Sequence, residues 1–265
     1  MELLEKLCKI GVKALSEIPQ NEFSKIVGKG AGGEKTKLID FIVEKAIISY
    51  LESIEFKGRL ISEEIGEKKF GNEEYPLIIL DPIDGTTNAI RGIIPYSISI
   101  AISNGPNLSD IYAGVVMEIP SERLFKAEKG KGAYLNNKRI YVNNIESIKK
   151  AIIGIDIKAK GKINKNIFPI IFEAKLIRII GSAALELCYV ASGALDLYID
   201  MRELLRITDI AAAYIILKEA GATILDSNGI ELNSLIDLSK RISIITGNKK
   251  LCEEAISLIR RNFKY

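Results

Sequence analysis

A chain of 265 residues, 48% hydrophobic and 27% charged, has enough apolar material for a sizeable core and reads as one compact body with two sub-domains. Its 37 basic and 34 acidic residues leave a formal charge of +3, which gives no reason to expect nucleic acid or an anionic membrane as a partner. There is no histidine, so Ser-His-Asp and Cys-His catalysis and a His-ligated zinc are excluded. Any chemistry must come from carboxylates, hydroxyls, Lys, Arg, Tyr, backbone dipoles or a hard metal ion.

Residues 1–18 read as an amphipathic helix, and its Glu2, Glu5 and Glu17 are out of keeping with a secretory signal. No apolar run reaches the ~18 residues that span a bilayer, so a cytoplasmic protein is expected. Cys8, Cys188 and Cys252 are far apart and form no CxxC pair, which points to reduced, buried thiols. Residues 28–34 (GKGAGGE) read as a flexible Gly-rich loop with no clear strand before it. A phosphate-binding P-loop is ruled out because Glu34, not Gly, precedes Lys35-Thr36; a mobile lid over a site fits better. A second helix is expected over 36–53.

Short strands follow at 59–62 and 77–80, the latter a continuous apolar run suited to burial on both faces. Residues 96–103 and 111–119 read as neighbouring strands around a turn at 104–107, with further β structure at 122–127 and 133–142. Residues 1–148 are therefore expected as an α+β sub-domain, with two helices on a large, mostly antiparallel sheet. From 149 to 265 the pattern alternates: strand 151–157, helix, strand 176–180, helix 183–192, strand 195–200, helix 209–220, strands 222–225 and 242–246, helix 249–260. That alternation predicts a layered α/β second sub-domain. The basic run Lys158, Lys160, Lys162 and Lys165 reads as a solvated loop.

The stretch Leu77-Ile-Ile-Leu-Asp81-Pro82-Ile83-Asp84-Gly85-Thr86-Thr87 carries the most chemistry. A buried strand runs into two carboxylates, stiffened by Pro82 between them. Gly85-Thr86-Thr87 then opens a short helix, whose free N–H groups are a natural seat for phosphate. Carboxylates beside a phosphate repel it unless a cation lies between, so the pattern implies Mg²⁺ or a similar oxygen-seeking ion. Asp-Pro-x-Asp-Gly is by itself good turn chemistry; the buried strand before it and the threonines after it favour a site. Glu63-Glu64 ends the earlier strand, and by itself reads as a solvated pair. Asp209, at the start of an apolar helix, is by itself an ordinary helix-start carboxylate. Asp40 lies mid-helix among apolar residues and needs a partner or a role.

Three motifs in order, Ser62-Glu63-Glu64, Asp81-Pro-Ile-Asp-Gly-Thr-Thr-Asn88 and Asp209-Ile-Ala-Ala with Lys218-Glu-Ala-Gly221, resemble those of the inositol monophosphatase and fructose-1,6-bisphosphatase superfamily. Gly130-Lys-Gly-Ala-Tyr134 and Gly181-Ser182-Ala183 resemble it too, and the likeness covers nearly the whole chain. The resemblance implies an α/β fold, a layered α-β-α-β-α sandwich. It implies that Glu63, Asp81 and the Ile83 carbonyl hold one Mg²⁺ and that Asp81, Asp84 and Asp209 hold a second, with a third, weaker ion near Glu63 and Mn²⁺ as a substitute. Asp40 and Thr86, with Glu63, are the expected catalytic set, orienting the attacking water, and the Gly85 and Thr86 N–H groups cradle the phosphate. Gly181, Ser182, Ala183 and Asp200 are placed in a polyol pocket. The stretch from Asp200 to Asp209 is longer than usual and has Thr208 where a Trp often stands. Its Arg202 and Arg206 are candidates to clamp a second phosphate, as in archaeal members acting on both inositol phosphate and fructose 1,6-bisphosphate. A homodimer is also implied.

The expected activity is Mg²⁺-dependent hydrolysis of small phosphorylated sugars or polyols. One alternative is the nucleotide branch acting on 3′-phosphoadenosine 5′-phosphate, although no insertion for an adenosine pocket is evident. Another is a non-catalytic binding module that reuses the fold, which loss of a metal carboxylate would signal; all four are present.

Overall fold

Helix, sheet, helix, sheet, helix: five layers stack in this order in a computed structural model that describes residues 1–159 and 162–261. In chain order the elements are α1 (Glu2–Ser16), β1 (Ile26–Lys29), β2 (Lys35–Lys37), α2 (Leu38–Ser53), β3 (Gly58–Ser62), β4 (Gly66–Phe70), β5 (Leu77–Asp84), α3 (Thr86–Arg91), β6 (Tyr96–Ser103), β7 (Ile111–Ile119), β8 (Leu124–Glu128), β9 (Gly132–Leu135) and β10 (Lys138–Arg139). The second half continues with β11 (Ile152–Asp156), β12 (Lys158–Ala159), β13 (Lys162–Ile163), α4 (Phe168–Glu173), β14 (Leu176–Arg178), α5 (Ala183–Ala191), β15 (Leu197–Leu205), α6 (Ile207–Glu219), β16 (Thr223–Leu225), β17 (Ile242–Gly247) and α7 (Lys249–Arg260).

An eight-stranded sheet, ordered β10-β9-β8-β7-β6-β5-β3-β4, is antiparallel apart from the β3–β5 pair. A five-stranded sheet, ordered β14-β11-β15-β17-β16, is mixed. Strand alternation explains how three cores fill the four gaps between layers. Ile78 and Leu80 of β5 join the core under α1 and α2, while Leu77 and Ile79 point to the opposite core, shared with α5 and α6. Helix α1 supplies its share from a stripe at Leu4, Leu7, Cys8, Gly11 and Leu15. The third core lies on the outer face of the five-stranded sheet, beneath α4 and α7.

Helix α6 sits in the middle of the stack and is buried almost all round, with Ala211, Ala212 and Ala213 fully inaccessible. Its closeness to the first sheet depends on Gly114 of β7. A Cβ built there would lie 2.8 Å from the Ala212 carbonyl oxygen and 2.9 Å from its Cα. This close approach seats α6, the helix that carries Asp209 in its first turn, against the sheet to which the Asp81 strand β5 belongs.

Several expectations need correction. Residues 28–34 do have a strand before them: Gly28 pairs with Thr36 and Lys29 with Lys35, so the expected loop, residues 30–34, is the turn of the hairpin β1–β2. Thr36 therefore belongs to a strand, and α2 starts at Leu38. Strand β4 escaped notice because Gly66-Glu-Lys-Lys-Phe70 is charged at its centre, as suits a sheet edge. Within the β structure expected at 133–142, the turn signal at Asn136–Asn137 holds: Asn136 has φ +55° and separates β9 from β10, but the strand ends at Arg139. Strand β15 runs on to Leu205 through a bulge, because the five steps from Asp200 to Leu205 face only two steps on β17. That bulge, with Glu203 at φ +55°, is where the unusually long stretch goes. Of the basic run, Lys160 lies outside the described residues and Lys165 is exposed. All three cysteines are free and buried, as expected. Among the described residues no helix is long and apolar enough to cross a membrane.

Candidate metal centre

Two carboxylates three positions apart on a regular strand face opposite sides of the sheet. The pairing of β5 with β6 slips where they occur: Asp81 lies opposite Ser99 but Asp84 lies opposite Ser97. Three steps on β5 against two on β6 make a bulge, and Pro82, without an N–H, sits inside it. The extra residue turns Asp84 back to the side of Asp81, facing α5 and α6. Ile83 meanwhile packs into the opposite core. Gly85 then turns the chain into α3 with φ +92°, and a Cβ there would lie 3.2 Å from the Gly181 carbonyl oxygen.

Carboxylate oxygens of Glu63, Asp81 and Asp209 come within 4.8 Å of one another. Glu63 arrives from the end of β3, which lies parallel beside β5. Asp209 is the third residue of α6, where its Oδ2 accepts from the Arg206 N–H at 2.9 Å. Asp84 is held from the other side: its Oδ2 accepts from the Ser182 hydroxyl and from the Ala184 N–H at 2.8 Å. Asp40 of α2 accepts from Thr86 Oγ1 at 3.0 Å, and the same hydroxyl is 2.9 Å from the Ile83 carbonyl. The five carboxylates and Thr86 thus converge from β3, β5, α2, α3 and α6.

Their protonation reflects this crowding. Burial, reinforced by Asp84, Asp209 and Asp40, raises the Asp81 carboxyl well above the ordinary range. Burial and the Asp209 charge push Asp84 up to about 7. Asp40 is pushed up to about 7, mainly by burial and then by Glu64, and burial raises Asp209. A buried, oxygen-only cluster of this kind is costly as bare anions and well matched to hard divalent cations, which offset the repulsion. The donor set therefore fits Mg²⁺-type ions and offers nothing soft for zinc.

The residues expected around the substrate occupy two places. The 180–183 loop lies over Asp84: Ser182 bonds to it, Gly181 has φ +82°, and Asn88 Nδ2 ties down the Ile180 carbonyl at 2.8 Å. Asp200, fully buried on β15, is forked by Arg202, with Nε 3.0 and 3.1 Å from its two oxygens and Nη2 2.6 Å from Oδ2. Arg202 also reaches Asp156 at 3.2 Å. Arg206 pairs with Glu63 and, at 2.9 Å, with Glu34 of the hairpin turn. Both arginines expected to meet a second phosphate thus have carboxylate partners.

Sequence reasoning missed Asn88, the Asp156–Tyr198 pair and Glu186. Tyr198 donates to Asp156 at 3.0 Å. Glu186 is fully buried on α5, accepts from the Ile180 N–H at 3.3 Å and leaves Oε2 without a partner; burial pushes it up to about 8. The available signal was a lone carboxylate in the apolar run Ala183-Ala-Leu-Glu-Leu-Cys188, the same signal that singled out Asp40.

The layered fold thus carries a buried, oxygen-only carboxylate centre suited to divalent cations. Residues 2–263 match the inositol monophosphatase family, and the chain belongs to it. It is 36% identical to the bifunctional NADP phosphatase/NAD kinase of Methanocaldococcus jannaschii over 94% of this chain, but spans only 50% of that relative's length. It is 37% identical to the fructose-1,6-bisphosphatase/inositol-1-monophosphatase of Methanothermobacter thermautotrophicus, covering 88% of this chain and 86% of that one. A crystal structure described as an inositol monophosphatase-fructose 1,6 bisphosphatase superposes with a TM-score of 0.84 at 32% identity, covering 97% of each chain.

Proposed function

We propose that the chain hydrolyses phosphomonoesters of small sugars and polyols, fructose 1,6-bisphosphate and inositol 1-phosphate among them, with Mg²⁺ as cofactor. The observation that carries this is the gathering of Glu63, Asp81 and Asp209 within 4.8 Å beside a bulge that turns Asp84 to the same side. On this reading Glu63, Asp81 and the Ile83 carbonyl hold one ion, and Asp81, Asp84 and Asp209 a second. A third ion near Glu63, and Mn²⁺ in place of Mg²⁺, suit the same donors. Ions held there supply a water of lowered pKa, neutralise the phosphate and stabilise the leaving oxygen. Residues 1–148 carry most of the centre, and residues 149–265 complete it with Asp209 and the substrate loop.

The chain's own groups do the rest. The Thr86 hydroxyl lies between Asp40 and the Ile83 carbonyl, so the pair Asp40–Thr86 orients an attacking water and offers a carboxylate to its proton. The Gly85 and Thr86 N–H groups bind phosphate oxygens. Gly181, Ser182 and Ala183 shape the pocket wall, and Ser182 also fixes the direction of Asp84. Asp200, fully buried, backs the pocket by holding the Arg202 guanidinium in place, and Arg202 and Arg206 supply cationic edges to a second phosphate.

A second reading follows from the relatives named as NADP phosphatase/NAD kinase, which match over 94% and 91% of this chain. On that reading the substrate is a nucleotide 2′-phosphate. Phosphate release from fructose 1,6-bisphosphate, inositol 1-phosphate, NADP and 3′-phosphoadenosine 5′-phosphate separates these. Release from the first two supports the main reading, release from NADP alone moves the chain to the second, and release from none would return it to the binding-module alternative. A homodimer is also proposed, supported by the exposed Ile93, Ile94 and Ile179, which Asn88 brings near one another by bonding both Pro95 and Ile180. Light scattering that gave a monomer mass would overturn that part.

A further inference from the structure

The guanidinium of Arg206 is the one cation that reaches into the carboxylate centre among the described ion pairs. Its backbone has little freedom. Leu205 and Ile207 on either side are buried, and the Arg206 N–H is bound to Asp209. The side chain, only 16% exposed, extends from this fixed point and pairs with Glu63, whose carboxylate is 26% exposed. It also meets Glu34, which at 74% exposure is a weak, solvent-screened partner. The hairpin turn is held near by the Ala31 N–H, which donates to the Glu64 carbonyl at 3.0 Å, and a Cβ on Gly32 would lie 3.8 Å from the Arg206 guanidinium.

We propose that Arg206 is a built-in counter-ion for Glu63 that competes with divalent cations for that carboxylate and so sets how tightly the centre loads. The inference rests on the metal-binding reading above. A carboxylate oxygen paired with a guanidinium nitrogen must give up that pairing, or share it, before it can ligate an ion. Among the described ion pairs neither Asp81 nor Asp209 has a side-chain cation, and the Arg206 charge reaches Asp209 only through space, so direct competition for a ligand oxygen falls on Glu63. Once displaced, the guanidinium keeps Glu34, and the hairpin turn stays tethered beside the site. Arg206 is thus a positioning residue toward the metal, and any contact with a substrate phosphate comes after that displacement.

The test is Mn²⁺ binding by the full chain without substrate, followed by isothermal titration and by the electron paramagnetic resonance of free Mn²⁺. Arg206→Gln should tighten the Glu63-dependent site about tenfold, the equivalent of 1.4 kcal/mol. Arg206→Lys, which keeps a charge but loses the fork, should fall between Arg206→Gln and the parent. Arg241→Gln is the control: Arg241 lowers the Asp209 pKa through space but has no ion pair with Glu63, so its removal should change affinity less than twofold. Unchanged or weaker Mn²⁺ binding by Arg206→Gln would overturn the proposal, as would equal tightening by Arg241→Gln, which would mark a general charge effect. Failure of the underlying metal reading looks different, since the parent chain itself would then bind no Mn²⁺.

Discussion

Replacing Glu186 with Gln should stabilise the protein at alkaline pH and lower its stability somewhat at pH 5, where the parent carboxyl is already protonated in the folded state. Burial, with smaller contributions from Asp156 and Asp84, raises the Glu186 carboxyl from 4.5 to about 8. Because the folded-state value is raised, the native protein holds a proton that the unfolded chain releases. The preference for the folded state is therefore complete below about pH 4.5 and is lost as pH climbs through about 8. At 1.36 kcal/mol per pH unit the full window corresponds to about 5 kcal/mol, an upper figure. The Gln amide matches the protonated acid in shape and can still accept from the Ile180 N–H, but its own N–H groups meet the same unpartnered space as Oε2. A net gain of about 1–3 kcal/mol at pH 8 is what remains after that cost. The assay is urea unfolding of parent and variant in EDTA at pH 5, 6, 7 and 8. The difference between the two isolates Glu186 from the other titrating carboxylates. If the two proteins lost stability in parallel across the series, Glu186 would not be the buried proton carrier and the reasoning would fail.

Three further outcomes follow from the same contacts. Asp84→Asn should lower turnover by about 10²-fold or more by removing one of the charges that holds the cations. In EDTA it should melt no lower than the parent, since it also relieves repulsion by Asp81 and Asp209, and it should lose much of the rise in Tm that Mg²⁺ gives the parent. Arg202→Ala should cost about 3–5 kcal/mol in denaturant unfolding, because it strands the fully buried Asp200 without its forked partner. Activity should therefore fall on mono- and bisphosphates alike through lost stability, with a further loss confined to bisphosphates because Arg202 also serves the second phosphate. Gly114→Ala should lower stability by about 1–3 kcal/mol, because its Cβ meets the α6 backbone. It should also weaken Mg²⁺-induced stabilisation, since α6 carries Asp209.

Much of the architecture was legible because its signals are local. Strands β6 and β7 and helix α7 fall on the expected residues, since each has an unbroken pattern bounded by Asn, Gly or Ser turns. The carboxylates of the centre were legible through motif and order. Their geometry was not. That Asp81 and Asp84 face the same side depends on a slip in register against β6, which only the pairing reveals. The hairpin at 26–37 was hidden because its strands are short, exposed and rich in Lys and Gly, so period-two alternation is absent. The partners of Arg202 and Arg206 were beyond reach because they lie across the fold: Asp156 on another strand for one, Glu34 and Glu63 from the first half for the other. Glu186 was missed although it is a lone carboxylate in an apolar run, and its contact with the Ile180 N–H is visible only in the fold.

The central claim is that the carboxylates gathered from β3, β5 and α6 hold divalent cations that make the chain a phosphomonoesterase. The measurement that tests it most directly is inorganic phosphate release from fructose 1,6-bisphosphate and inositol 1-phosphate by EDTA-treated protein, before and after Mg²⁺ is restored. The account predicts no release in EDTA, recovery with Mg²⁺ in the parent, and no recovery in Asp84→Asn. Turnover that persists in EDTA, or that returns equally in Asp84→Asn, would contradict it.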